Sequence, residues 1–221
     1  MNITLDTPEG RIGGWLARPD RPSSMGLVVL QEIFGVTAHI RDITERYAHE
    51  AFIALAPALF DVVEPGVDLP YDSDGMQRGR TYVTALGFDR ALRLVEAAAQ
   101  RLREEGATAI GVVGFCWGGS LALLANLRLG LPAVSYYGAR NTGFIEEPLR
   151  APILFHFGAE DASTPPADIE RQRKAWPQAA IEVHPGAGHA FNRDCDPTHY
   201  HTNAAAHANT QTLTFLRKHL R

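Results

Sequence analysis

Cys116 stands in Gly114-Phe-Cys-Trp-Gly118, with a glycine two residues to either side. A nucleophile raised on a sharp strand-to-helix turn needs this spacing, because flanking side chains would meet the returning backbone. The start of the following helix offers N–H groups and a positive dipole end, both of which favour a thiolate over a thiol. Downstream come Asp161, in Gly158-Ala-Glu-Asp161, and His189, in Gly186-Ala-Gly-His-Ala-Phe191. In that arrangement His189 takes the thiol proton, or holds the thiolate as an ion pair, and later activates water, while Asp161 orients the ring. Glu160 competes with Asp161 for the acid role. Upstream, Gln31-Glu-Ile-Phe-Gly35 follows an apolar run, which places the carboxylate of Glu32 and the N–H of Ile33 at a strand end. The N–H groups of Ile33 and Trp117 are then the candidate donors to an oxyanion.

These residues need a scaffold that delivers strand ends to one edge. Short apolar runs suited to strands are Met25–Leu30, Phe52–Ala56, Ile110–Val113, Ala133–Tyr137, Ile153–Phe157 and Ala180–His184. Ile3–Asp6 and Arg11–Ala17 read as an edge hairpin turning at Pro8-Glu-Gly10. Between them, Ala38–Ala51 with Thr37 as its cap, Phe88–Glu105, the run from Leu121 to Ala125, the segment between Pro166 and Pro177, and Asn203–Leu220 carry helical spacing. Asp61–Gly75 is rich in Pro, Gly and Asp and reads as a long surface loop, with a short helix over Gln77–Leu86. Strands alternating with helices predict a mostly parallel central sheet with helices on both faces, in one domain spanning 1–221. The order nucleophile, acid, histidine along the chain is that of an α/β-hydrolase.

Composition narrows the partners. A formal charge of −4 gives no footprint for nucleic acid, and no apolar stretch is long enough to span a bilayer. Two cysteines, Cys116 and Cys195, make no disulfide framework, so a cytoplasmic setting is expected. His156 and His184 fall in strands and read as structural. His199, His201 and His207 resemble a metal cluster, but no carboxylate or cysteine completes a ligand set, and a polar loop is the better reading. Neither a metal nor a cofactor is expected, and the chain is read as a monomer or weak homo-oligomer acting on a small molecule.

Taken together, Gln31–Gly35, Gly114–Gly119, Tyr136-Tyr-Gly138, Gly158–Asp161 and Gly186–Phe191 resemble the dienelactone hydrolase (carboxymethylenebutenolidase) family over nearly the whole chain. The resemblance implies a Cys116-Asp161-His189 triad, no cofactor, and a role for Glu32 beside the thiol. It also implies unsaturated lactones bearing a free carboxylate as substrates, products of ring cleavage in aromatic degradation. Two arginines and a tyrosine that hold such a carboxylate in the family match Arg78, Tyr82 and Arg193, with Arg80 an alternative if the helix register shifts. A bulky aromatic expected three residues after Tyr82 is replaced by Ala85. The alternatives are a carboxylesterase or thioesterase of the same fold, or a thiol redox sensor without turnover.

Overall fold

The computed structural model describes residues 1–220. Eight strands form one sheet in the order β1-β2-β4-β3-β5-β6-β7-β8. The chain divides into two compact units, and it passes from the first to the second within β5, between Val112 and Val113.

The first unit opens with the hairpin β1 (Asn2–Thr7) and β2 (Gly10–Ala17), which pair antiparallel. β2 pairs antiparallel with β4 (Ile53–Pro57), and β4 pairs parallel with β3 (Met25–Leu30). Leu27, Val28, Val29 and Leu30 have no exposed surface, as a strand covered on both faces requires. Helix α1 (Ala38–His49) is capped by the Thr37 side chain, which accepts from the Ile40 N–H. A 3-10 turn, Leu59–Val62, follows β4.

Helix α2 spans Ser73–Glu104 and starts four residues earlier than the apolar spacing predicts, since Asp72 caps it by accepting the Gly75 N–H at 2.8 Å. The expected loop is therefore shorter, and its tail belongs to the helix. Gly87 (φ 69, ψ 164) interrupts α2, so two helices abut there, at the boundary the spacing anticipates between Leu86 and Phe88.

The second unit carries the end of β5 (Ala109–Phe115), then β6 (Ala133–Tyr136), β7 (Ile153–Gly158) and β8 (Ala180–His184). β6, β7 and β8 pair in parallel. Helix α3 (Trp117–Leu124) continues into a wider π turn, Ala125–Leu129, that the sequence pattern does not reveal. Asn126 explains the turn: its buried amide donates to the carbonyls of Leu131, Ala151 and Pro152, tying the helix end to two loops. Helix α4 (Pro166–Ala175) begins on a proline, where the missing N–H costs nothing. Helix α5 (Thr202–His219) closes the unit. Among the described residues no helix is long and apolar enough to cross a membrane.

Candidate active site

β5 delivers Cys116 directly at its end. The residue sits at φ 55, ψ −119, a conformation rarely adopted outside glycine, and α3 starts at the next position. A Cβ on Gly114 would lie 1.9 Å from the Gly118 carbonyl oxygen, so the turn closes only around a glycine. Gly119 carries a second demand that the elbow spacing does not encode: a Cβ there would lie 2.5 Å from the Tyr136 carbonyl oxygen. That same carbonyl accepts the Cys116 N–H at 3.0 Å, which fixes the strained turn to β6. The Gly119 and Ser120 N–H groups turn back onto the Cys116 carbonyl. Trp117, as the first helical residue, has an N–H for which α3 itself supplies no acceptor.

The acid and the histidine come from the loops after β7 and β8. A Cβ on Gly158 would lie 2.4 Å from the Ala187 carbonyl oxygen, so the two loops touch backbone to backbone. The Ala159 N–H donates to the His184 carbonyl and the Glu160 N–H to that of Ala187. This stitching turns Asp161 inward, where it is 4% exposed, and leaves Glu160 facing solvent. Asp161 Oδ2 lies 2.8 Å from His189 Nδ1, and Oδ1 accepts the Ser163 N–H at 2.7 Å. On the other side of the ring, His189 Nε2 lies 3.2 Å from Cys116 Sγ. Cys116, His189 and Asp161 thus form one hydrogen-bonded line.

Its electrostatics are polarised. Burial pushes the His189 pKa down, but the hydrogen bonds to Asp161 and to Cys116 outweigh it and raise the value to about 10. Burial also works against an ionised Asp161, yet the bond to His189 and the Ser163 N–H hold its carboxyl below the usual range. The ring is therefore drawn toward its imidazolium form between a carboxylate and a sulfur. Tyr137 walls it: its ring meets His189 edge-on at 5.1 Å and Phe191 at 5.4 Å. Tyr137 holds φ 40, and its N–H donates to the His156 carbonyl at 2.8 Å. The sequence signals its place only through Tyr-Tyr-Gly at the end of a strand. Ala190 (φ 61) turns the chain just past His189, and Phe191 has no exposed surface.

The remaining expected residues have their own surroundings. In the first unit Glu32 is only 1% exposed, which rules out a solvated loop carboxylate. Its loop is pinned by Gln31, whose Oε1 accepts the Leu59 N–H, and by the Phe34 carbonyl, which accepts from Leu69. A Cβ on Gly79 would sit 2.2 Å from the Ile33 carbonyl oxygen, so α2 lies against this loop at backbone distance. Tyr82 stacks near Phe60 and donates its hydroxyl to Glu64 Oε2 at 2.6 Å. A hydrogen bond with Tyr82 raises the Arg78 pKa above its ordinary value, so Arg78 shares the face of Tyr82. Arg80 instead lines a shallow groove of about 1000 Å³ along α2, together with Ala85, Thr84 and Met76. In the second unit Arg193 is buried, and its Nη1 donates to Asp196 Oδ2 at 3.1 Å. Asp196 also pairs with His199 Nδ1 at 2.7 Å. Among the described residues, no three histidine, cysteine or acidic side chains are grouped as a metal site.

Comparison with known proteins bears on the fold and the family. A Synechocystis sp. protein provisionally named a carboxymethylenebutenolidase is 34% identical, over 93% of this chain and 91% of its own. The carboxymethylenebutenolidase of Pseudomonas putida is 30% identical, over 97% and 94% respectively. A Klebsiella pneumoniae structure provisionally named a dienelactone hydrolase superposes with a TM-score of 0.82 at 28% identity, covering 98% of each chain. Its α/β-hydrolase fold is the one described above, and the relatives act, by name, on a lactone ester bond. The model of the dienelactone hydrolase family matches residues 12–220, and the chain is a hydrolase that belongs to that family.

Proposed function

We propose that the protein hydrolyses carboxylic esters, unsaturated lactones foremost, through a thioester on Cys116. The observation that carries this reading is the unbroken line from Cys116 Sγ through His189 to Asp161, at 3.2 and 2.8 Å. The thiolate attacks the carbonyl carbon, and the new C–S bond pushes an electron pair onto the carbonyl oxygen. The N–H groups of Ile33 and Trp117 are the proposed donors to that oxyanion, and the family resemblance gives Glu32 a role beside the thiol. Collapse breaks the ring C–O bond, and the departing enolate oxygen takes its proton from the His189 imidazolium. The neutral ring then removes a proton from water, which attacks the thioester and returns the thiolate. Asp161 keeps the imidazolium stable and correctly turned throughout.

Arg78, Tyr82 and Arg193 are the proposed substrate-binding side chains, on the strength of the family resemblance. The scheme uses one chain and its own side chains, and a reducing compartment such as the cytoplasm keeps the thiol available. The family model runs across both units, which supports reading them as one catalytic domain.

The test is turnover of an unsaturated butenolide, with rapid quench and mass measurement of the intact chain. The expected result is a transient acyl adduct on Cys116 and no turnover in Cys116→Ala. Full activity in that variant would remove the thiol from the mechanism. Stoichiometric peroxide oxidation of Cys116 without any ester hydrolysis would favour the redox-sensor alternative.

A further inference from the structure

Two of the three side chains proposed to grip a substrate carboxylate, Tyr82 and Arg193, already hold a carboxylate of this chain. In the first unit the Tyr82 hydroxyl donates to Glu64 at 2.6 Å, and the negative charges of Asp74 and Glu64 bear on Arg78. Glu64 is not a chance neighbour: its N–H donates to the Phe60 carbonyl at the end of the 3-10 turn, and Phe60 stacks beside Tyr82. In the second unit the buried Arg193 donates to Asp196, and Asp196 is anchored by the Thr198 N–H and by His199. Burial would neutralise Asp196, but its hydrogen bonds with His199 and Arg193 prevail and keep its carboxyl below the ordinary range. One phenol hydroxyl and one guanidinium are thus each matched by a carboxylate, each within its own unit.

A guanidinium or phenol that already has an ionised acceptor gains little from a second one. The incoming carboxylate must displace the first, or share the donor and face its negative charge. Ala85, where a bulky aromatic is expected, removes one apolar wall as well. We infer that this hydrolase selects uncharged lactones or esters, and that Glu64 and Asp196 are the residues that set this choice by standing where a substrate carboxylate would otherwise bind. The inference rests on the cysteine-hydrolase reading for its chemistry, but the pairing on which it stands is independent of turnover.

The experiment compares two butenolides that share a ring: 5-methylidene-2(5H)-furanone, which is uncharged, and its 5-carboxymethylidene counterpart, which is an anion at pH 7. kcat/KM for both is measured in the wild type, Glu64→Gln and Asp196→Asn. The wild type is expected to favour the uncharged ring. Each variant should shift the ratio toward the anion by about tenfold, the scale of one charge-assisted hydrogen bond at a partly exposed site. A wild type that prefers the anion, or variants that leave the ratio unchanged, would overturn the inference.

Crotonate, an unreactive unsaturated carboxylate, gives the second measurement by calorimetry on the same proteins. Binding should tighten about tenfold in Glu64→Gln. Equal affinity in both proteins would overturn the inference even if neither lactone turned over. Failure of turnover with an intact crotonate effect would count against the hydrolase reading alone.

Discussion

His184 and His189 lie five residues apart at the end of β8 and are driven in opposite directions. His189 is raised to about 10, against the pull of burial, by its hydrogen bonds to Asp161 and Cys116. His184 is lowered to about 4, first by burial and then by the nearby His207 and His201. Burial works against charge on both rings, though His184 is 3% exposed and the His189 side chain 27%; what differs most is the partner. His189 faces a carboxylate and a sulfur, whereas His184 faces His156, with the two ring nitrogens 3.1 Å apart. The line continues from His156 Nε2 to Thr212 Oγ1 at 3.1 Å and on to the Tyr136 hydroxyl at 2.7 Å. A consistent assignment runs one way: Tyr136 donates to Thr212, Thr212 to His156, and His156 to His184. Each member then donates once to the next, so a proton added between the rings would set two donors face to face. The lesson is that burial sets the cost of charge, while the partner decides whether the protein uses the charge or avoids it.

The sharpest way to break this comparison is to remove one ring at a time. His189→Ala should lower kcat/KM by about 10³- to 10⁴-fold, the scale on which triad members act. His184→Ala touches no reacting atom and should cost no more than about threefold in activity. Steady-state kinetics on one butenolide decide it, and comparable losses in both would erase the distinction between a working ring and a structural one.

Asp161→Asn asks whether the partner, rather than the site, raises His189. Turnover should fall by about 10³-fold or more, since the asparagine no longer stabilises the imidazolium. Nuclear magnetic resonance of the ring protons should place the His189 titration near 10 in the wild type and lower in the variant. The folded value is above the ordinary 6.5, so this ring stabilises the fold fully below pH 6.5 and loses that contribution as pH rises through about 10. The stability gap between wild type and variant should shrink across that window. An unchanged His189 titration would reassign the shift to Cys116 alone.

What the sequence discloses follows the range of the forces involved. The elbow is legible because Gly114, Cys116 and Gly118 encode a backbone conformation, and backbone demands are local. The choice between Glu160 and Asp161 is not, since it is made by Gly158 packing on the Ala187 carbonyl, a contact 29 residues away in the chain. The start of α2 is hidden because its cap, Asp72, sits in a run rich in turn residues. The Arg193–Asp196 pair has readable helical-turn spacing, whereas Tyr82 meets Glu64 only because the 3-10 turn after β4 brings it there. The His156–His184 pair depends on strand register. β7 and β8 align His156 with Glu182, which puts His184 two residues further along the same face.

The acid side of the profile sharpens the comparison from the other direction. His184 titrates at about 4 in the fold and 6.5 when unfolded, so its contribution is whole above pH 6.5 and is lost as pH falls toward 4. The gap corresponds to roughly 3 kcal/mol at its lower end. His156 is lowered well below 6.5 as well, by burial first and by His184 and His207 after it. Chemical denaturation at stepped pH should show the wild type weakening through this window. His184→Gln keeps a polar group facing His156 but cannot take up a proton, and its slope should be flatter. Equal slopes would place the acid sensitivity elsewhere.

The smallest effect is expected from Thr212→Val, which separates the polar chain from its charge. Valine keeps the branched shape but removes the hydroxyl between Tyr136 and His156. Two buried polar groups then lose the partner they share, at a cost of about 2 kcal/mol, less than the acid sensitivity of His184. Because both rings are neutral above pH 6.5, that loss should be the same at pH 7 and pH 8.5. Activity is the finer readout. The Tyr136 carbonyl accepts the Cys116 N–H and sits against Gly119, so a shift in β6 would reach the elbow. If the chain from Tyr136 to His184 is purely structural, kcat/KM should stay within about twofold while the thermal midpoint falls. A larger loss of activity, with the His189 titration still near 10, would mean that the buried histidines help to hold Cys116 in its strained conformation.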